Sequence, residues 1–301
     1  GLVQVARTLE PYVEAFAVAR VPEAMELKLS GIKKKIILLE GFLNAEDIPV
    51  ISEHGFYTAV HDMEQIKAIE QSHISKPINA WLKIDIGMHR LGAAEDEVAK
   101  MKQLLERSEK DEYNQQQIEY FNKVAKCFSG DICLANSAGI IACPNARTQW
   151  VRPGIIMYGI SPFADRTGSD LGLTPVMTLK SSLIAMRKVK KGAMVGYGAA
   201  WTAPYDTVIG IVAAGYGDGY PRSMPNGTPV RINGRNVPTA GHVCMDMLFV
   251  DLGPESTDKI GDEVILWGDG LPVERIAALA NTIPYELVCR IMPRVNIETI
   301  N

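Results

Sequence analysis

Polar side chains that could hold an anion follow three apolar runs in the first half of the sequence. They are Lys83, Asp85 and Arg90 after the first run, Asn136 and Ser137 after the second, and Arg152 with Gly154 and Ile155 at the third. Cations, a hydroxyl and glycine-flanked amides gathered at one rim could bind a phosphate or a carboxylate. Simpler alternatives exist, because Lys83 and Asp85 could form an ion pair and Ser137 could be an N-cap.

Two tyrosines of the second half stand between glycines. Tyr197 lies in VGYGAAW and Tyr216 in AAGYGDGYPR, segments typical of tight turns that present the aromatic hydroxyl. The alternative is an ordinary hairpin loop with a packed tyrosine. A third segment, AGHVCMDM, carries Cys244 and Met245. A nucleophilic role for Cys244 is not favoured, because no base flanks it in the sequence.

Metal chemistry is not indicated by the histidines and cysteines. The 5 histidines are dispersed, and the 5 cysteines form neither a C-x-x-C pair nor a Cys/His metal spacing. A zinc site, a histidine-centred triad and a disulfide scaffold are therefore not expected. A reducing compartment, and so a cytoplasmic location, fits the cysteine pattern best.

The elements that must position these residues alternate between strand and helix. Short apolar runs predict strands at residues 16–19, 36–40, 57–60, 80–85, 132–136 and 154–158. Amphipathic segments predict helices at the start of the chain and at residues 22–31, 44–55, 62–72 and 95–108. Parallel βα units carry functional residues at the carboxyl ends of their strands, which is where the polar clusters stand.

The stretch LLERSEKDEYNQQQIEYF, residues 104–121, departs from this alternation. Two helical patterns meet near Ser108 with only a few charged residues between them, although parallel strands alternate with their crossovers. A closed (β/α)8 barrel needs eight strands. We therefore expect one strand to be missing at Ser108 and another ahead of Gly1, where the chain opens without Met and looks truncated. The alternative is an unusual helical insertion.

Strand-rich segments predict a different domain after a polar linker near residue 165. Strands are expected within residues 177–189, 207–215, 228–232, 236–240, 244–253 and 262–268, followed by helices at 273–281 and 284–292. Asn233-Gly234 is a strong signal for a two-residue hairpin. The predicted domains are residues 1–165 and 166–301.

Composition and charge favour a small-molecule substrate. The chain of 301 residues is 47% hydrophobic and 22% charged, with a net charge of -4 and scattered Lys and Arg residues. Such a distribution indicates neither nucleic-acid nor membrane-surface binding. No apolar run approaches the roughly 18 residues of a membrane span.

Eight motifs carry a family resemblance. In order they are WLKIDIGMHRLG, ANSAG, WVRPGIIMYGISP, VGYGAAW, GYGDGYPR, GHVCMDM, GDEVILWG and IPYELVCRIMPRV. Together they resemble the bacterial alanine racemases across almost the whole chain. The resemblance implies an α/β fold, a (β/α)8 TIM-type barrel followed by a mainly β C-terminal domain. It also implies a homodimeric enzyme that uses pyridoxal 5′-phosphate (PLP) to interconvert L- and D-alanine, supplying D-alanine for peptidoglycan.

The resemblance also implies a role for each candidate residue. Racemisation needs two bases on opposite faces of the substrate, here a PLP-binding lysine and Tyr197 of the partner subunit. Arg152 would face the pyridine nitrogen and Arg90 the phenolic oxygen, with Lys83, often carbamylated in the family, holding Arg90. The phosphate would be bound by Ser137, the amides of Gly154 and Ile155, and Tyr285. Met245, with Tyr216 at the entrance, would bind or screen the substrate carboxylate.

Two segments of the family have no match in this sequence. One is the Lys-x-x-x-Tyr-Gly-His-Gly motif, which carries the PLP lysine; the other is a strand ending in Ser-His-Phe, which would fall within residues 104–121. We expect the natural protein to contain both, because a barrel without them would expose backbone edges and core. The alternatives are a PLP racemase of another amino acid, such as serine or lysine, and a truncated, non-catalytic PLP-binding paralogue.

Overall fold

The computed structural model describes residues 1–85, 88–94 and 131–300. They fall into two compact units, Gly1–Arg152 and Pro153–Asn301. The predicted helix at 95–108 and the stretch 104–121, including the proposed gap at Ser108, lie outside the described residues. The predicted boundary between residues 165 and 166 stays a prediction.

Parallel strands alternate with helices in the first unit. In chain order the elements are α1 (Leu2–Leu9), β1 (Ala15–Val18), α2 (Val21–Leu29), β2 (Lys35–Leu38), α3 (Asp47–His54), β3 (Tyr57–Val60), α4 (Met63–Gln71), β4 (Asn79–Leu82), β5 (Cys133–Asn136), α5 (Ser137–Ala142) and β6 (Trp150–Arg152). Strands β1 to β4 pair in sequence order, and β5 pairs with β6. Every pairing is parallel, which confirms the predicted βα units.

Local signals explain where these helices begin and end. The Glu23 carboxylate accepts hydrogen bonds from the Ala19 and Arg20 amides at the start of α2, at 2.9 and 2.8 Å. Asp62 caps α4 by accepting from the Gln65 amide at 2.8 Å. Helix α3 ends at His54 and is followed by Gly55, whose φ of 67° is the left-handed conformation that glycine adopts without strain. Between the layers, α2, α3 and β2 contribute buried side chains to one core cluster.

The predicted strand at residues 154–158 is wrong. Residues Ile155–Tyr158 form one turn of 3-10 helix, and the strand lies before them, at β6. The turn ends at Gly159, which has a φ of 72° and no room for a side chain, since a Cβ there would lie 1.8 Å from the Thr174 carbonyl oxygen. A five-residue apolar run does not by itself distinguish a strand from a helical turn.

Antiparallel strands dominate the second unit. The elements are β7 (Leu179–Val189), β8 (Met194–Val195), β9 (Trp201–Thr202), β10 (Thr207–Val212), β11 (Pro229–Ile232), β12 (Arg235–Pro238), β13 (Leu248–Gly253), β14 (Glu263–Trp267), α6 (Val273–Leu279) and α7 (Pro284–Cys289). Six strands form one sheet in the order β12-β11-β14-β7-β10-β13. The 11-residue β7 lies at its centre, pairing with β14 through its first residues and with β10 through its last.

The hairpin predicted at Asn233-Gly234 is confirmed. Ile232 pairs with Arg235, and the two turn residues have φ angles of 46° and 78°, as a type I′ turn requires. No heavy atom lies within 4 Å of a Cβ built on Gly234. Its replacement therefore tests backbone conformation alone.

We expect Gly234→Ala to lower the free energy of unfolding by about 1 kcal/mol, because a side chain disfavours the left-handed region. Chemical denaturation would measure the shift in midpoint. Asn236→Ala, at an exposed position of β12, is the control and should change stability by less than about 0.5 kcal/mol. Equal midpoints for Gly234→Ala and the unmodified protein would contradict the expectation.

Candidate active site

Strands β5 and β6 bring Ser137 and Arg152 to the same edge of the first unit. Asn136 pairs with Arg152 across the two parallel strands, so both strands end at this level. The Asn136 side chain caps α5 by accepting from the Gly139 amide at 3.0 Å. The N-cap is therefore Asn136 rather than Ser137. Ser137 is the first residue of the helix, directly after the strand, and it is only 3% exposed.

Arg152 is tethered to the neighbouring strand. Its Nη1 lies 3.0 Å from the Cys133 Sγ and 3.4 Å from the Cys133 carbonyl oxygen, and its Nη2 donates to the Leu134 carbonyl at 3.2 Å. These contacts orient the planar guanidinium by several donors at once. Sequence reasoning missed Cys133, because its contact with Arg152 depends on strand register and on no local motif.

The end of β4 carries Lys83 and the loop that contains Arg90. The Lys83 amide continues the pairing with β3 by donating to the Val60 carbonyl at 2.8 Å. Its Nζ donates to the Leu39 carbonyl, just beyond β2, at 3.2 Å. Arg90 is exposed on the loop that follows. Lys83 thus lies at the carboxyl edge of the four-stranded sheet, as predicted.

A histidine that the sequence did not single out contacts Asp85. The amide and the Nδ1 of His89 each lie 3.0 Å from an oxygen of Asp85. His89 has a φ of 55°, an uncommon conformation that the two contacts with one carboxylate help to hold. Asp85 therefore contacts both the main chain and the side chain of His89, a pairing that the sequence did not predict.

Tyr197 is presented to solvent by a glycine-flanked turn. Residues Tyr197–Ala199 form a 3-10 turn between β8 and β9, with Gly196 and Gly198 at φ angles of 73° and 69°. The residue is 76% exposed, so the alternative of a packed tyrosine is wrong for this position. A phenol held out in this way can reach a group on another molecule.

The loops of Tyr216 and Met245 lie side by side in the second unit. The Tyr216 loop follows β10 and the Met245 loop precedes β13, and these two strand ends are adjacent because Val212 pairs with Leu248. The Tyr216 amide donates to the Cys244 carbonyl at 3.0 Å, and the Gly217 amide donates to the Met245 carbonyl at 2.8 Å. Tyr216 is 39% exposed and Met245 54% exposed. Main-chain hydrogen bonds, more than side-chain packing, fix their relative position.

The remaining predicted residues also lie in the second unit. Gly154 precedes the 3-10 turn in which Ile155 is buried. Tyr285 is partly exposed near the start of α7. Each of these groups is a hydrogen-bond donor of the kind that binds phosphate oxygens.

The described residues were also compared with the requirements of metal sites and membrane spans. Within the described residues, no group of three or more His, Cys, Asp or Glu side chains could hold a metal ion. Every helix in the same residues is too short or too polar to cross a bilayer.

Comparisons with known proteins give a consistent family. The alanine racemase N-terminal domain matches residues 1–162, and the alanine racemase C-terminal domain matches residues 176–299. The alanine racemase of Aeromonas hydrophila is 49% identical over an alignment covering 100% of this chain and 89% of the relative. That of Haemophilus influenzae is 50% identical, covering 100% of this chain and 88% of the relative.

Solved structures agree with the sequence relatives. The biosynthetic alanine racemase of Pseudomonas aeruginosa is 37% identical with a TM-score of 0.93, covering 98% of this chain and 87% of that one. The alanine racemase of Acinetobacter baumannii is 33% identical with a TM-score of 0.88, covering 94% and 85%. These similarities confirm the predicted fold class, a (β/α)8 TIM-type barrel followed by a mainly β C-terminal domain.

Proposed function

Since the chain belongs to the alanine racemase family, we propose that the protein interconverts L- and D-alanine with PLP and supplies D-alanine for peptidoglycan. The observation that carries the proposal is the whole-chain identity of about one half to curated alanine racemases, with both domains matched in order. A small amino acid as substrate agrees with the scattered charge of the sequence. The cysteine pattern favours a cytoplasmic location.

The donors at the end of β5 and β6 fit a cofactor that carries a phosphate. The Ser137 hydroxyl belongs to a buried residue, and the Arg152 guanidinium lies at the neighbouring strand end. Ser137, the amides of Gly154 and Ile155, and Tyr285 would bind the phosphate. When bound, PLP supplies an electron sink that makes the substrate Cα proton removable.

Two arginines would orient the ring of the cofactor. Arg152 would face the pyridine nitrogen, where a fixed cation disfavours protonation of the ring, and Arg90 would contact the phenolic oxygen. Lys83 would hold the Arg90 loop in place. The hydrogen bond between Lys83 Nζ and the Leu39 carbonyl already anchors this lysine at the sheet edge.

Tyr197 would be one of the two bases. Racemisation requires that one base remove the Cα proton and that another return a proton on the opposite face. The exposure of Tyr197 supports a role in the site of the partner subunit, and this makes the active form a homodimer. Met245, with Tyr216 at the entrance, would bind or screen the substrate carboxylate.

The test is turnover by the natural full-length protein with added PLP. Incubation with L-alanine, followed by chiral chromatography, should yield equal amounts of the two enantiomers. Serine and lysine, tested in parallel, should turn over much more slowly. Faster racemisation of either one would favour the broader amino-acid racemase reading, and no turnover of any of the three would favour a non-catalytic paralogue.

A further inference from the structure

Arg294 joins the two substrate-facing loops of the second unit. Its Nε donates to Asp218 Oδ1 at 2.8 Å, and its Nη1 donates to Asp246 Oδ1 at 2.7 Å. Its Nη2 lies 3.3 Å from the Met245 carbonyl oxygen. One guanidinium thus contacts the loop of Tyr216 through one carboxylate and the loop of Met245 through the other carboxylate and a carbonyl.

The main chain at Gly217 packs so closely against this guanidinium that no side chain fits between them. A Cβ on Gly217 would lie 2.5 Å from the Arg294 Nη2 and 3.0 Å from the Met245 carbonyl oxygen. Any side chain at Gly217 would therefore displace Arg294 or separate the loops. The Gly217 amide meanwhile donates to the same Met245 carbonyl at 2.8 Å, so both groups converge on one acceptor.

Asp218 ties the arginine to the turn that carries Tyr216. Its Oδ1 receives the Arg294 Nε, and its Oδ2 accepts from the Gly215 amide at 2.8 Å. The Asp218 carbonyl accepts from the Met292 amide at 3.2 Å, which connects the turn to the segment that bears Arg294. A shift of the guanidinium would therefore move the Asp218 carboxylate and, with it, the backbone of the turn.

We propose that Arg294 is a positioning residue that sets the spacing of Tyr216 and Met245 for the substrate carboxylate. The inference rests on the proposed function, which assigns those two side chains to the substrate. Both are partly exposed, so packing alone does not fix them. Arg294 adds three hydrogen bonds to the two main-chain bonds that join the loops, and a lysine ammonium cannot reproduce these three as a set.

Steady-state kinetics of Arg294→Ala in the full-length protein is the first test. We expect kcat/KM to fall by roughly ten- to a hundredfold, the scale of a displacement of about 1 Å in a positioned group. Most of the loss should be in KM, because substrate binding is affected more than proton transfer. Arg294→Lys should recover part of the loss.

Two further variants separate positioning from folding. Asp246→Asn removes one arm of the contact and should raise KM less than Arg294→Ala does. The double variant should be no worse than Arg294→Ala, because both changes break the same contact. The control is Lys180→Ala, which breaks an equally close ion pair with Glu263, at 2.8 Å on the sheet, and should leave KM unchanged.

Amide hydrogen exchange gives a readout that does not need turnover. The amides of Tyr216 and Gly217 should exchange faster in Arg294→Ala than in the unmodified protein and in Lys180→Ala. An unchanged KM in Arg294→Ala, or unchanged exchange at both amides, would overturn the proposal while leaving alanine racemisation intact. Absence of racemisation by the unmodified protein would instead refute the proposed function.

Discussion

Replacing Tyr197 by phenylalanine is expected to lower kcat/KM for alanine racemisation by about 10²- to 10⁴-fold, the usual contribution of a positioned acid–base group. In the proposed mechanism the phenol carries the proton on one face of the substrate, and phenylalanine keeps the ring without the hydroxyl. The enantiomers have equal free energies, so kcat/KM must fall by the same factor in both directions. A loss confined to one direction would indicate an assay artefact.

Solvent deuterium separates the two bases. In Tyr197→Phe the remaining base still removes the Cα proton from one enantiomer, so that enantiomer should exchange with deuterium much faster than it racemises. The other enantiomer should show neither reaction at an appreciable rate. Exchange and racemisation that remain coupled for both enantiomers would exclude Tyr197 as a base.

The stability of Tyr197→Phe should be unchanged, because the residue is 76% exposed and contributes little to the core. Tyr12→Phe is the matched control, since it removes a phenolic hydroxyl from a residue that is 82% exposed on the first unit. Its turnover should equal that of the unmodified protein. Similar kinetic losses in both variants would argue against a specific role for Tyr197.

The second large effect is expected at Arg152. Arg152→Gln should lower the racemisation rate by roughly 10²-fold, the scale of losing one preorganised charged donor. In the proposed site, the neutral side chain would no longer disfavour protonation of the cofactor ring. More of the substrate should then be converted to pyruvate by transamination, with its amino group left on the cofactor. Pyruvate released per racemisation event is the quantity to measure.

Arg152→Lys separates the effect of the positive charge from the effect of the hydrogen bonds to the Cys133 and Leu134 carbonyls. Lysine keeps the cation but cannot donate to the Cys133 and Leu134 carbonyls at once. We therefore expect little pyruvate from this variant, although both variants should lose about 1–3 kcal/mol of stability through the unpaired carbonyls. Equal pyruvate yields from the Gln and Lys variants would show that the charge does not control the side reaction.

The sequence predicted the alternation of strands and helices because parallel, doubly covered strands leave continuous apolar runs. It also predicted the hairpin at Asn233-Gly234, where the residue types determine the backbone angles. It failed at residues 154–158, because an apolar run between glycines suits a helical turn as well as a strand. The correction moves β6 ahead of Gly154, so Arg152 ends a strand instead of preceding one.

Contacts between residues far apart in the chain could not be predicted from the sequence. The Arg294 contacts with Asp218 and Asp246 join positions 76 and 48 residues apart. The tether between Arg152 and Cys133 depends on how β5 and β6 align. No periodicity or local spacing encodes such pairs, whereas Tyr197 stood out because the glycines that shape its turn are its immediate neighbours.

The central position of β7 has a consequence for synthesis on the ribosome. Strands β1, β2 and β3 each pair with the next strand to be made, so their sheet can grow as the chain emerges. Strand β7 must instead wait for β14, at Glu263–Trp267, before its first half has a partner. A nascent chain stalled before residue 263 would display an open strand edge to other nascent chains. Rare codons within residues 190–262 should therefore lower the yield of folded protein more than the same codons placed before residue 60.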